Sequence, residues 1–176
     1  MSENISLEFV FSNVNRWLDH AEKKNAFLFS AFSLISLLTV ILNNQSSISL
    51  FLKIGSVITI GVYIVSLFFI LLSLFPITKI SKILLEKGKD KKLRPEDNLL
   101  FYGDIAKYNS EEYLHAINTK YALKVDSNAI HKDLVCQIII NSNITSNKYQ
   151  CFKISSMMLF IGIIQFAVFF SISLFN

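Results

Sequence analysis

Three runs without charge constrain this chain more than any motif in it. Asn25 to Leu52, Ile54 to Thr78 and Ile154 to Asn176 contain no Asp, Glu, Lys or Arg. A bilayer core of roughly 30 Å takes about 20 apolar residues of helix to cross it. The second and third runs reach that length outright, and the first has its clean stretch from Ala26 to Leu42. An integral membrane protein is expected. The spans fall at residues 26–42, 51–77 and 155–175, with a short external loop at 43–50.

The chain has 176 residues, of which 52% are hydrophobic and 16 are Phe, well above a soluble average. With the spans occupying so much of it, at most one domain is expected. The net charge of +4 does not read as a nucleic-acid footprint. Its densest part, Lys79, Lys82, Lys87, Lys89, Lys91, Lys92 and Arg94, follows the second run directly. That is what the positive-inside rule places in a cytoplasmic segment beside a membrane, where lysines also meet lipid headgroups. Membrane lipids are therefore expected partners, and a nucleic acid polymer is not.

Orientation follows from the same asymmetry. Arg16, Lys23 and Lys24 precede the first span, so the N-terminus is expected inside. Asn43 to Ser49 then turns outside, residues 78–154 return to the cytoplasm, and the third span ends outside at Asn176. Glu3, Glu8, Asp19 and Glu22 come before any apolar run, which does not fit a cleaved leader. Cys136 and Cys151 lack metal-ligand spacing, and on one helix they would lie about 22 Å apart. Reduced thiols are expected, and no metal site.

Residues 1–25 read as an amphipathic helix. Leu7, Val10, Phe11, Val14, Trp17, Leu18 and Ala21 recur at three- and four-residue spacing, and neither Gly nor Pro breaks the helix before Leu42. The second span is expected to continue past Pro76, with a possible kink there, to about Leu85 and to end at Gly88. Asn109 followed by Ser110, Glu111 and Glu112 is a capping-box signature, and Tyr113, Leu114, Ile117 and Tyr121 mark one face of the helix it opens. Asp126 or Ser127 opens a last helix that runs to Phe175 without Pro. The fold class is thus an all-α membrane protein: three long transmembrane helices extending into a cytoplasmic helical stalk, with a small helical insertion.

Enzymatic signatures are missing. There is no phosphate-binding Gly-rich loop, no zinc-ligand pair and no nucleophile elbow, and His20, His115 and His131 stand isolated among solvated residues. No catalytic residue and no cofactor is expected. The segment Leu99 to Ala106 (LLFYGDIA) is the most unusual piece outside the membrane. Its Gly103-Asp104 turn can present backbone N–H groups and a carboxylate to a small ligand. Alternatively its aromatics plug the base of the bundle. Asn141, Ser142 and Asn143 interrupt the apolar stripe of the last helix, which serves register or ligand contact. In the spans, Ser30, Ser33, Ser36, Thr39 and Gln165 are read as the wet or hydrogen-bonding positions, with helix–helix contact as the plainer role.

Trp17-Leu-Asp-His-Ala-Glu-Lys-Lys-Asn-Ala26, then Leu100-Phe-Tyr-Gly-Asp-Ile-Ala106 with Glu111-Glu112-Tyr113, then Gln137-Ile-Ile-Ile-Asn-Ser-Asn-Ile and Lys148-Tyr149 follow one another along the chain. In this order they resemble the Pycsar transmembrane effector family, with Tyr102 standing where that family carries a Phe. The resemblance implies an anti-phage effector of the bacterial inner membrane. A uridylate or cytidylate cyclase would make cyclic UMP or cyclic CMP on infection, and the effector would respond by impairing the membrane.

A cyclic nucleotide offers a phosphate, a ribose hydroxyl and a base edge. Basic groups suit the first, a carboxylate the second and an amide the third. Arg94, Tyr102, Gly103, Asp104, Asn141 and Lys148 are the candidate ligand-binding residues. Three spans so poor in polar groups cannot line a pore alone, so a homo-oligomer is expected, with Phe11, Val14 and Trp17 as its contact stripe. Two other readings stay open: an ungated holin-like or structural oligomer, and a membrane effector gated by a cyclic oligonucleotide.

Overall fold

The computed structural model describes residues 6–44, 50–74, 93–123 and 128–175, the side chains of 174 and 175 excepted. Regular structure in these residues is helical throughout: α1 (Leu7–Asn43), α2 (Leu50–Leu74), the single turn α3 (Tyr102–Ile105), α4 (Ser110–Tyr121) and α5 (Ala129–Phe175). α1, α2 and α5 are each long and apolar enough to cross a membrane, as expected of an all-α membrane protein. Pro76, the extension to Leu85, the lysine run up to Lys92, Asp126 and Ser127, and residues 45–49 of the external turn lie outside the described residues.

Helix starts follow local capping chemistry. Ser6 Oγ accepts the Phe9 N–H at 3.2 Å. Asn109 Oδ1 accepts the Glu112 N–H at 2.9 Å while Glu112 Oε2 accepts the Asn109 N–H at 3.0 Å, completing the expected capping box. Asn128 Oδ1 accepts the His131 N–H at 2.8 Å at the start of α5. Asn141, Ser142 and Asn143 do not break α5, which runs on through them. Both cysteines sit on this continuous helix and are not joined in a disulfide.

The chain divides into two compact units, Met1–Glu22 with Pro76–Tyr149, and Lys23–Phe75 with Gln150–Asn176. The first is the polar unit. Its core joins Leu7, Val10 and Val14 of α1 to Leu99, Ile105 and Tyr108, to Tyr113 and Ile117 of α4, and to Val135 and Ile138 of α5. Burying each such aliphatic side chain contributes about 1.5–3 kcal/mol. The insertion is therefore a wedge held by its own apolar face, on the stripe that Tyr113 and Ile117 predicted.

Tyr113 is fully buried and its hydroxyl donates to the Leu99 carbonyl at 2.7 Å. Burial, with Tyr121 adding to it, pushes the phenol well above its ordinary value, so it remains a donor. Tyr113→Phe strands that carbonyl and is expected to cost about 1–3 kcal/mol, read as a lower denaturation midpoint of the purified chain with helix content unchanged.

The second unit is the apolar one. Leu28 and Phe32 of α1, Tyr63 and Ile70 of α2 and Leu159 of α5 form its core. Two glycines allow helices to approach: a Cβ on Gly55 would overlap the Phe169 ring, and one on Gly162 would overlap the Tyr63 ring. Small residues at helix crossings are how spans pack where lipid removes any hydrophobic gradient. Leu34, Leu37, Val57, Ile64 and Phe160 are among the many large apolar side chains left exposed, as a lipid-facing surface requires.

Polar groups inside this unit bond to one another. Ser66 Oγ donates to the Ser155 carbonyl at 2.9 Å, Ser56 Oγ to Asn43 Oδ1 at 2.8 Å, and Thr59 Oγ1 to the Gly55 carbonyl at 2.9 Å. Thr39 Oγ1 donates to the Ile35 carbonyl at 2.9 Å and lies 3.5 Å from the Tyr63 hydroxyl. Ser30 and Ser33 donate to carbonyls four residues back. The five polar positions expected in the spans therefore omitted Ser56, Thr59, Ser66 and Ser155, which are all buried. Hydropathy averages conceal them because their neighbours are so apolar.

Candidate functional site

The polar unit holds an open cleft of about 310 Å³ lined by Arg94, Pro95, Asp97 and Leu99, by Tyr108, and by α4 between His115 and Lys120. The capping box fixes where α4 starts, and its buried Tyr113 and Ile117 fix its rotation. His115 and Thr119, four residues apart, thereby share a face. Thr119 Oγ1 donates to the His115 carbonyl at 2.8 Å.

At the floor lies Asp97, 5% exposed. Its carboxylate accepts from Lys107 Nζ at 2.8 Å, from the Arg94 N–H at 3.1 Å and from the Tyr108 hydroxyl at 3.2 Å. Burial by itself raises this carboxyl, but Lys107, the Arg94 N–H and the Tyr108 hydroxyl together hold it below the ordinary carboxylate range. Lys107 is raised in turn, first by Asp104 and then by Asp97. Lys120 Nζ donates to the Asp97 carbonyl at 2.5 Å. A buried charge with this many partners is a fixed hub.

The hub gives a pH dependence. A carboxyl depressed on folding stabilises the fold at pH values above its unfolded pKa, and that stability is lost as pH falls through the lower folded value. Melting of the polar unit is expected to weaken on acidification below about pH 4. Asp97→Asn, with a flatter profile between about pH 5 and pH 3, would identify the group; an unaltered profile would show that another acid carries it.

The sequence candidates do not converge on one point. Arg94 lines the cleft. Asp104 reaches the hub through Lys107, 2.6 Å away, and accepts the Asn98 N–H at 3.0 Å. The N–H groups expected to be open beside it are used: those of Asp104 and Ile105 both donate to the Phe101 carbonyl. The Gly103-Asp104 turn is the helical turn α3, and the Phe101 ring lies over Gly103, 2.6 Å from where a Cβ would sit.

Tyr102 belongs to a separate aromatic group. It stacks on Tyr149 with centroids 5.2 Å apart and lies 5.6 Å from Trp17, which also meets Phe101 at 6.1 Å and Tyr149 at 6.4 Å. Beside it Lys148 Nζ is 3.4 Å from Glu22. Asn141 Nδ2 donates to Asn15 Oδ1 at 2.8 Å, joining α5 to α1. Of the contact stripe, Val14 is fully buried in the chain's own core, Phe11 packs against that core, and Trp17 is half-buried.

Asp97, Tyr108, Thr119 and Lys120 were not among the sequence candidates, and His115 was read only as an isolated surface histidine. The signal available was the shared face of His115 and Thr119, with Lys120 next to it. Among the described residues no group of His, Cys, Asp and Glu is arranged to hold a metal ion.

The chain matches the family model described as the Pycsar effector protein domain over residues 6–175. No curated protein and no solved structure matches it.

Proposed function

We propose that this chain, which belongs to the Pycsar effector family, is a non-enzymatic anti-phage effector that a cyclic pyrimidine mononucleotide, cyclic UMP or cyclic CMP, switches into a membrane-impairing state. The observation that carries this is the extent of the match. It spans residues 6–175 and so takes in the polar unit and all three long apolar helices together. A partner cyclase would supply the nucleotide on infection, and loss of membrane integrity would abort it.

The fold supports a gate. α1 and α5 each run unbroken through both units, and the aromatic group of Trp17, Phe101, Tyr102 and Tyr149 ties the insertion to both helices. The insertion also lines the cleft, through Asp97, Tyr108 and Lys120 among others. A ligand that fits one arrangement of this segment better than another shifts the balance by that difference in affinity alone.

The damaging species is a homo-oligomer. Ser56 and Ser66 are bonded within the unit and large apolar side chains dominate the exposed surface of the spans, so one copy offers water little polar surface. Trp17, half-buried, with Phe9 and Phe101, both exposed, offers aromatic surface to a second copy. The membrane is the inner one, with the N-terminus and the cleft in the cytoplasm and Asn176 outside.

Co-expression with a uridylate or cytidylate cyclase tests this. Cells are expected to lose membrane potential only when the cyclase is active. Depolarisation without any cyclase would favour an ungated holin-like protein, and depolarisation that needs an oligonucleotide synthase would favour a cyclic oligonucleotide signal.

A further inference from the structure

We propose that the cleft between the 93–99 segment and α4 is the seat of the nucleotide, with Arg94 and Lys120 holding its phosphate. This rests on the reading of the chain as a nucleotide-gated effector and places the ligand within it.

Two cationic side chains come to this cleft from different elements, Arg94 from the segment after the second span and Lys120 from the last turn of α4. A guanidinium fork suits phosphate oxygens, and an ammonium serves as a point charge beside it. Lys120 is already positioned by its bond to the Asp97 carbonyl, and an ammonium has three donors, so two remain for a ligand.

The acid on the floor does not oppose an anion. Asp97 is buried and its charge is met by Lys107, which also meets Asp104. Arg94 and Lys120 add two cationic groups to the lining. Thr119 and His115 supply hydroxyl and imidazole groups for the ribose and the base edge. Leu99, Pro95 and Ala116 give the base an apolar wall.

Pockets for drug-sized ligands run from about 300 to 1,000 Å³, and a cleft of about 310 Å³ at the lower end of that range suits one mononucleotide. Lys148, beside Glu22 in the aromatic group, is left outside the site.

The test is calorimetric titration of the full chain in neutral detergent with cyclic UMP and cyclic CMP. Wild type is expected to bind one of them, and Arg94→Ala and Lys120→Ala each to weaken it about 10- to 100-fold. Lys148→Ala is expected to leave it unchanged. Because Lys120→Ala also removes the bond to Asp97, a photoreactive analogue of the bound nucleotide on the wild-type chain provides a second readout, and its label is expected between residues 94 and 120.

Wild-type binding that both variants retain in full, or a label mapping to Trp17 or Tyr149, would overturn the site and leave the gated-effector reading standing. No binding of either nucleotide by the wild type would sink both. A lipid phosphate offers the same chemistry, so titration is repeated in micelles containing phosphatidylglycerol. Nucleotide affinity is expected to persist there. Displacement by the lipid, lost again in Arg94→Ala, would make the cleft a headgroup site and refute the assignment.

Discussion

Gly162→Leu is expected to prevent the apolar unit from assembling. Any Cβ at this position overlaps the Tyr63 ring, and the ring is held by contacts of its own. Tyr63 is 6% exposed, packs edge-on to Phe32 at 6.0 Å, and has its hydroxyl 3.5 Å from Thr39. Overpacking a filled site typically costs about 1–3 kcal/mol. Here α2 and α5 must part, which also stretches the Ser66 bond to the Ser155 carbonyl. A cost at or above the upper end, about 3 kcal/mol, is expected.

Gly61→Leu is the control, since nothing lies within 4 Å of a Cβ there. Membrane-extracted Gly61→Leu should be monodisperse with wild-type melting, whereas Gly162→Leu should aggregate or fail to accumulate. Equal behaviour of the two would show that α2 and α5 do not pack as described.

Val14→Asp is expected to unfold the polar unit while leaving the spans inserted. Val14 has no exposed surface and sits among Leu99, Ile105, Tyr113 and Ile138. An isolated carboxylate in such a core belongs with the exceptional substitutions that cost more than about 4–5 kcal/mol. Whole domains are stable by only about 5–15 kcal/mol. Ser12→Asp, two residues away on the exposed side of α1, should be silent. Limited proteolysis in membranes distinguishes them: Val14→Asp is expected to be cut within residues 93–123 and to lose every nucleotide response, and Ser12→Asp to be protected like the wild type. Protection of both would mean that α1 is not part of this core.

Much of the fold was legible in the residues because it depends on local periodicity. Charge-free runs mark the spans, the Asn109 to Glu112 pattern marks the start of α4, and the Tyr113–Ile117 spacing marks its buried face. The polar contacts inside the spans were not legible. Ser56, Thr59, Ser66 and Ser155 count little against their neighbours in any average, yet they meet other groups only once the helices pack. The site was hidden for a related reason. Asp97 draws on Lys107 and Tyr108 at its carboxylate and on Lys120 at its backbone carbonyl, groups ten or more residues away, and only the folded insertion brings them to one residue.

The sequence offered Arg94, Tyr102, Gly103, Asp104, Asn141 and Lys148 as candidate ligand contacts without saying which of them meet. In space Tyr102, Gly103, Asp104 and Lys148 belong to an aromatic group and to the hub, while Arg94 alone reaches the cleft. Tyr102 meets Tyr149 of α5, Asp104 meets Lys107, and Lys148 of α5 meets Glu22 of α1. Both Asp104 carboxylate oxygens already have partners, Lys107 on one and the Asn98 N–H on the other.

The most direct measurement of nucleotide-gated membrane damage uses the purified chain in dye-loaded vesicles of phosphatidylethanolamine and phosphatidylglycerol. Dye release is expected to stay near that of empty vesicles until cyclic UMP or cyclic CMP is added on the side facing the polar unit, and then to rise steeply. Release at the same rate with and without either nucleotide, or none under any condition at a protein density where insertion is verified, would contradict the account.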